Sequence, residues 1–174
     1  MASFARSAGA ALLLVLAACG TAKQSATVDL QSVPGLDARL RGVGSAASGM
    51  VRVMDRGDGV TLTLNLTNLP PGTYRLAFHA KGNCNSPNLF SAGPAWAPAG
   101  AKKSATELIP AFAVSGEGGA VFTTHIRDVR ADGSDDLRRR TVVLHAGETI
   151  GAAFPGERNN RIACGVLDSI KPIF

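Results

Sequence analysis

Between Val60 and Thr67 the chain alternates without a break: Val60, Leu62, Leu64 and Leu66 interleave with Thr61, Thr63, Asn65 and Thr67. A period of two sends one set of side chains to each face of an extended strand, one face buried and one wet. Turn chemistry brackets the run, Asp55-Arg56-Gly57-Asp58-Gly59 before it and Leu69-Pro70-Pro71-Gly72 after it. Similar short segments recur at Ala38–Val43, Gly49–Met54, Tyr74–Ala80, Leu108–Val114, Ala120–Ile126, Thr141–His145 and Arg161–Leu167. The Ser115-Gly116-Glu117-Gly118-Gly119 stretch reads as a hairpin. No helical period follows residue 18. About eight short strands separated by turns predict an all-β, antiparallel sandwich or barrel. Two Gly/Ala/Pro/Asn-rich stretches, residues 83–106 and 146–160, are its long loops, and loops of that length usually serve a function.

The N-terminus predicts an exported, lipid-anchored protein. Arg6 precedes an apolar run, Ala8 to Ala18, ending in Leu16-Ala17-Ala18-Cys19. A short basic region, about ten apolar residues and small residues before a cut describe a secretory signal. A cysteine directly after Leu-Ala-Ala resembles a bacterial lipobox, which makes Cys19 the lipidated first residue of the mature chain; the other reading is an ordinary signal with a chance cysteine. Acyl chains would anchor the protein to a membrane without spanning it. Gly20, where an inner-membrane retention signal would place Asp, favours outer-membrane sorting facing the periplasm. The expected organisation is a signal over 1–18, a tether with a first strand over 19–42, and one domain over 43–174.

Removal of Arg6 with the signal leaves 17 basic against 13 acidic residues, a mild excess that suits an anionic envelope surface. The basic residues are scattered apart from Arg138-Arg139-Arg140, and aromatics are few, so nothing points to nucleic acid. That arginine run follows Asp135-Asp136 and precedes a strand, so it reads as a solvated strand entry with local ion pairs. With Cys19 lipidated, Cys84 and Cys164 remain. In an oxidising compartment two distant cysteines most simply form one disulfide. A redox-active thiol pair is the alternative, and it lacks a Cys-x-x-Cys spacing.

Several segments carry a family resemblance when taken in order: Leu69-Pro70-Pro71-Gly72, Phe78-His79, Gly82-Asn83-Cys84, Ser91-Ala92-Gly93, Asp135-Asp136-Leu137, Val143-Leu144-His145-Ala146-Gly147 and Arg161-Ile162-Ala163-Cys164-Gly165-Val166. Together, over roughly Ser48 to Leu167, they resemble bacterial copper/zinc superoxide dismutases. The resemblance implies an eight-stranded Greek-key β-barrel with a Cys84–Cys164 disulfide. It also implies a copper site fed by a His-x-His pair, a bridging histidine and a late histidine, beside a zinc site. Here the His-x-His positions are Ala77 and His79, the bridging position is Ala95, and the late copper histidine is His145. The zinc histidines should fall between Trp96 and Thr106, which contain none, and no aspartate stands near Glu107-Leu108 where the zinc carboxylate belongs. Arg161 matches the arginine that guides superoxide.

Only three histidines occur in the chain, His79, His125 and His145. Copper(II) wants four nitrogen donors in a tetragonal array, so two imidazoles with methyls at the other corners should not support redox cycling. The expectation is a dismutase-like envelope lipoprotein without dismutase activity, a binding or structural module with no zinc and at most weak copper. Two alternatives remain open: a copper-dependent dismutase with atypical ligands such as Asn83, Asn85, Asn88, Met50 or Glu107, and a low-affinity periplasmic copper binder using His79 and His145. His145 is equally readable as a core-edge histidine bonded to backbone. Arg161 is equally readable as a clamp on loop carbonyls, and His125 as a surface residue. Met50 and Met54 share a strand face and should pack. Trp96 should fill space vacated by the lost site.

Overall fold

The computed structural model describes residues 35–116, 118–133, 135–147 and 160–170. Cys19 with its signal, most of the tether, and the greater part of the 146–160 loop lie outside these residues. Where the alternation is cleanest the strand is longest: β3 runs Gly59–Leu69, with Val60, Leu62, Leu64 and Leu66 at or below 1% exposure and the intervening polar residues facing outward. Around it lie β1 (Gly35–Gly42), β2 (Ser48–Arg56), β4 (Gly72–His79), β5 (Phe112–Val114), β6 (Gly118–Arg127), β7 (Thr141–Ala146), β8 (Arg161–Val166) and a two-residue β9 (Asp168–Ser169). All pairings are antiparallel, in the order β5-β4-β7-β8-β1-β2-β3-β6, with β9 on β1. Eight strands thus form a nearly closed Greek-key barrel. At the seam between its end strands, Phe112 of β5 stacks on Phe122 of β6 with centroids 5.6 Å apart.

Two expectations need correction. The segment from Leu108 is not strand throughout: only Phe112–Val114 pairs with β4. Pro110 cannot donate to a ladder, so Leu108 and Ile109 enter the core from an irregular approach instead. The first strand also begins earlier than Ala38, at Gly35.

Most strands bury one face. The exceptions are β4, whose last four residues are buried, β7, whose first five are, and β8, where Ala163, Cys164 and Gly165 are buried in succession. The inward residues of β4 and β7, Leu76 and Phe78 with Val142 and Leu144, join the main core inside the barrel. The outward residues of the same strands, Ala77 and His79 with Thr141, Val143 and His145, are covered as well. The cover is the 83–106 loop, where Leu89 and Ala92 pack with Val143 and Cys164 in a second, smaller cluster beside Cys84. Leu89 caps the start of the 3-10 turn Phe90–Ala92, and Ala92 is its last residue. The Cys84–Cys164 disulfide pins the start of that loop to β8 across a sequence separation of 80. A loop and one covalent bridge therefore roof a patch of the barrel's outer wall. In open water that patch would be half polar.

At the entry to β7, Arg140 pairs with Asp135 and Arg138 with Asp132. The arginine run is the ion-paired strand entry that its neighbours predict.

Candidate functional site

The roofed patch contains both histidines singled out from the sequence. His79 closes β4, and His145 lies near the end of β7. In the β4–β7 register His79 stands opposite Thr141, Ala77 opposite Val143, and Arg75 opposite His145. Ala77 therefore lies midway between the two imidazoles on the same face, and its methyl leaves them room to lean toward each other. They meet: Nε2 of His79 is 3.2 Å from Nε2 of His145, with ring planes 18° apart. Both residues are fully buried.

Each ring is held from behind. Nδ1 of His79 lies 2.8 Å from the Gly93 carbonyl, and Nδ1 of His145 lies 2.9 Å from Oδ1 of Asn160. The backbone of Gly93 has φ 78, a conformation glycine adopts without strain, and this turns its carbonyl toward β4. Asn160 donates from Nδ2 to the Ala146 carbonyl, which settles the direction of its amide. Carbonyl oxygens only accept, so both Nδ1 atoms carry protons. Two neutral imidazoles own two such protons in all, and both are now committed. The facing Nε2 atoms consequently present two lone pairs to each other and have no hydrogen to share.

A proton could fill that gap, but its surroundings oppose it. Burial pushes His79 down to about 3, with the charges of Arg161 and His145 acting the same way and the Gly93 contact only partly opposing them. Burial likewise pushes His145 down to about 4, assisted by Arg161 against the bond to Asn160. Arg161 opens β8, is 5% exposed, and donates from Nη1 to the Leu89 carbonyl at 2.9 Å. Its guanidinium carbon lies 5.2 Å from the Phe90 ring. It ties the roof to the barrel and keeps a positive charge beside the imidazoles. Donating the far ring nitrogen to a carbonyl or amide oxygen is also how protein histidines are oriented for metals.

The other named positions do not join this pair. Ala95 forms an isolated bridge with His79, so the methyl there sits where a further imidazole would reach the same space. Ala77 is the second methyl corner. Trp96 does not fill the vacated site: its ring lies 3.6 Å from the Arg140 guanidinium carbon and packs against the main core. Its backbone N–H bonds to the Phe78 carbonyl at 2.7 Å. Asn83 and Asn88 turn their side-chain oxygens to the backbone N–H groups of Asn85 and Phe90. Glu107 accepts from Ser104. His125 is on the surface, 2.9 Å from Asp58. Among the described residues no group of three or more His, Cys, Asp or Glu could hold a metal ion. The residues here do not fit a paired copper and zinc centre.

Asn160 and the Gly93 carbonyl were not legible as site residues. Asn160 directly precedes Arg161, but nothing in an Asn-Asn-Arg triplet announces contact with a histidine 15 residues earlier.

A family model described as copper/zinc superoxide dismutase matches residues 47–167. A superoxide dismutase (Cu-Zn) of Caulobacter vibrioides is 29% identical over 140 residues, a stretch covering 69% of this chain and 78% of that protein.

Proposed function

This chain belongs to the copper/zinc superoxide dismutase family, and from that premise we propose that it is a non-dismutating member, a disulfide-stapled module of the bacterial cell envelope. The observation that carries the proposal is the imidazole pair with its two methyl corners, Ala77 and Ala95. Dismutation needs a copper that alternates between two oxidation states in a cage suited to both, and two donors do not make that cage. Arg161 matches the position of the family's anion-guiding residue, and it donates to the roof at the Leu89 carbonyl.

The lipobox-like Leu16-Ala17-Ala18-Cys19 supports anchoring by acyl chains on Cys19, with the barrel displayed toward the periplasm from the outer membrane. The mild positive balance suits residence beside anionic lipid.

Loading the purified protein with Cu(II) and Zn(II) in air, desalting it and measuring both metals by mass spectrometry tests the proposal. Neither should remain near one equivalent. Retention of one copper and one zinc per chain would restore the enzymatic reading with atypical ligands.

A second reading, copper holding without turnover, is favoured by one specific feature: the two Nε2 lone pairs converge and have no hydrogen between them.

A further inference from the structure

We propose that the solvent face of β1, β2 and β3 is a docking groove for a carboxylate-bearing glycan, the peptidoglycan of the envelope. This rests on the envelope placement above and is independent of the histidine pair. Where the three strands run side by side, their register sets two rows across the outer wall, Arg39–Met50–Asn65 and Arg41–Ser48–Thr67. Same-face neighbours on a strand stand about 7 Å apart, which is the separation of the rows. Together they line a shallow groove of about 510 Å³.

The first ground is uncompensated charge. Asp37 stands two residues before Arg39 on the same face, but Arg52 holds both of its oxygens, from Nε and Nη2 at 2.8 Å each. Arg39 and Arg41 are exposed and form no hydrogen bond or ion pair among the described residues. Two guanidinium forks about 7 Å apart thus face solvent with their donors unspent, and such forks match planar carboxylates. No acidic residue lines the groove. The other basic cleft, beside Lys102 and Lys103, differs: Asp128 lines it, and its Arg127 lies 3.4 Å from Asp58.

The second ground is the neutral lining. Ser48 Oγ and Thr67 Oγ1 lie 3.0 Å apart, and Asn68 donates from Nδ2 to Ser48 at 3.3 Å, so both hydroxyls are fixed in place. The exposed Asn65 amide makes no hydrogen bond among the described residues and offers two donors and an acceptor. Met50 adds one half-buried apolar side chain. Hydroxyls and amide outnumber the charges here. That lining matches a polymer rich in hydroxyl and amide groups, with carboxylates spaced along it.

The third ground is shape. A groove three strands wide accepts a single strand of polymer, whereas an anionic bilayer is a plane and engages cations spread over a broad flat face. Nucleic acid carries a phosphate on every residue and bases that stack on aromatics, and this groove has two cations and no aromatic. A modest affinity per chain suffices at a wall, because many copies face a repeating polymer.

The experiment is co-sedimentation of the purified full-length protein, kept soluble in detergent, with insoluble peptidoglycan sacculi. The protein should pellet with sacculi at about 0.05 M salt and be released at about 0.5 M, because exposed charges are screened. Sacculi whose carboxylates have been amidated should not retain it. Arg39→Gln and Arg41→Gln should each weaken retention about 5- to 10-fold. Lys102→Gln, which removes the same charge from the other basic cleft, should leave it within about two-fold. Absence of retention would overturn the inference, as would full retention on amidated sacculi or an equal loss in Lys102→Gln. Tighter binding to polyglutamate or to phosphatidylglycerol micelles, at equal anionic charge, would overturn it in favour of an acidic peptide or a lipid surface. If a variant fails to fold, the unmutated protein on native and amidated sacculi decides. Cell fractionation tests the placement separately: protein found outside the envelope defeats the reading above and this one, whereas an envelope protein that sacculi do not retain defeats this one alone.

Discussion

Acidification should destabilise the metal-free protein in a pH range where carboxylates are still ionised. His79 and His145 are held near 3 and 4 in the fold, against 6.5 when the chain is open. Below 6.5 the unfolded chain binds protons that the folded chain refuses, so stability falls as the pH drops. Each imidazole contributes a slope approaching 1.4 kcal/mol per pH unit until its folded value is reached. Between pH 7.5 and 5 each therefore removes about 2 kcal/mol, and the pair about 4 kcal/mol. That is a large part of the 5–15 kcal/mol typical of a whole domain. Asp58, lowered by His125, and Glu107, lowered by Ser104, lose their contributions only at more acidic pH, so they do not enter this window. Urea unfolding of chelator-treated protein at a series of pH values reads the effect as a midpoint falling by about 2 M for a protein of this size. Replacing both histidines by leucine should flatten the curve. A midpoint that stays level or rises on acidification would refute the reasoning, because it would mean that a proton already occupies the gap between the rings.

Other consequences are open to direct measurement. Replacing Cys84 and Cys164 by alanine removes a closure across 80 residues and should lower stability by about 4–5 kcal/mol in chemical denaturation; a loss under about 1 kcal/mol would show that the roof is held by packing alone. Ala77→His combined with Ala95→His returns the two missing corners and should confer retention of Cu(II), seen as nitrogen hyperfine structure in its paramagnetic resonance spectrum. No retention in a folded variant would break the assignment of those positions. Cys19→Ala should move the protein from the membrane fraction to the soluble periplasmic fraction, and unchanged fractionation would remove the anchor.

The barrel was readable because most of its strands bury a single face. Val60 to Leu66 alternate for that reason, whereas Arg161 to Val166 are legible by their motif although β8 is buried on both faces. Thr141-Val142-Val143-Leu144-His145 gave no alternation because β7 is buried on both sides, inside by the main core and outside by the loop roof. Leu108 and Ile109 read as strand because they are buried without being paired, and apolar content alone cannot tell those states apart. The meeting of His79 with His145 depends on register across two strands 66 residues apart in sequence. Spacing within one strand carries no information about that. The place of Trp96 is illegible for a similar reason: a loop sequence does not say which way successive side chains turn, and here the ring turns to Arg140.

The central claim, that two imidazoles flanked by methyls cannot turn over superoxide, is tested most directly by pulse radiolysis. Superoxide decay should be followed with protein loaded with copper and zinc and then freed of loose metal by a chelator. The account predicts decay at the rate of chelator-containing buffer. A second-order acceleration proportional to protein and lost in His145→Ala would contradict it.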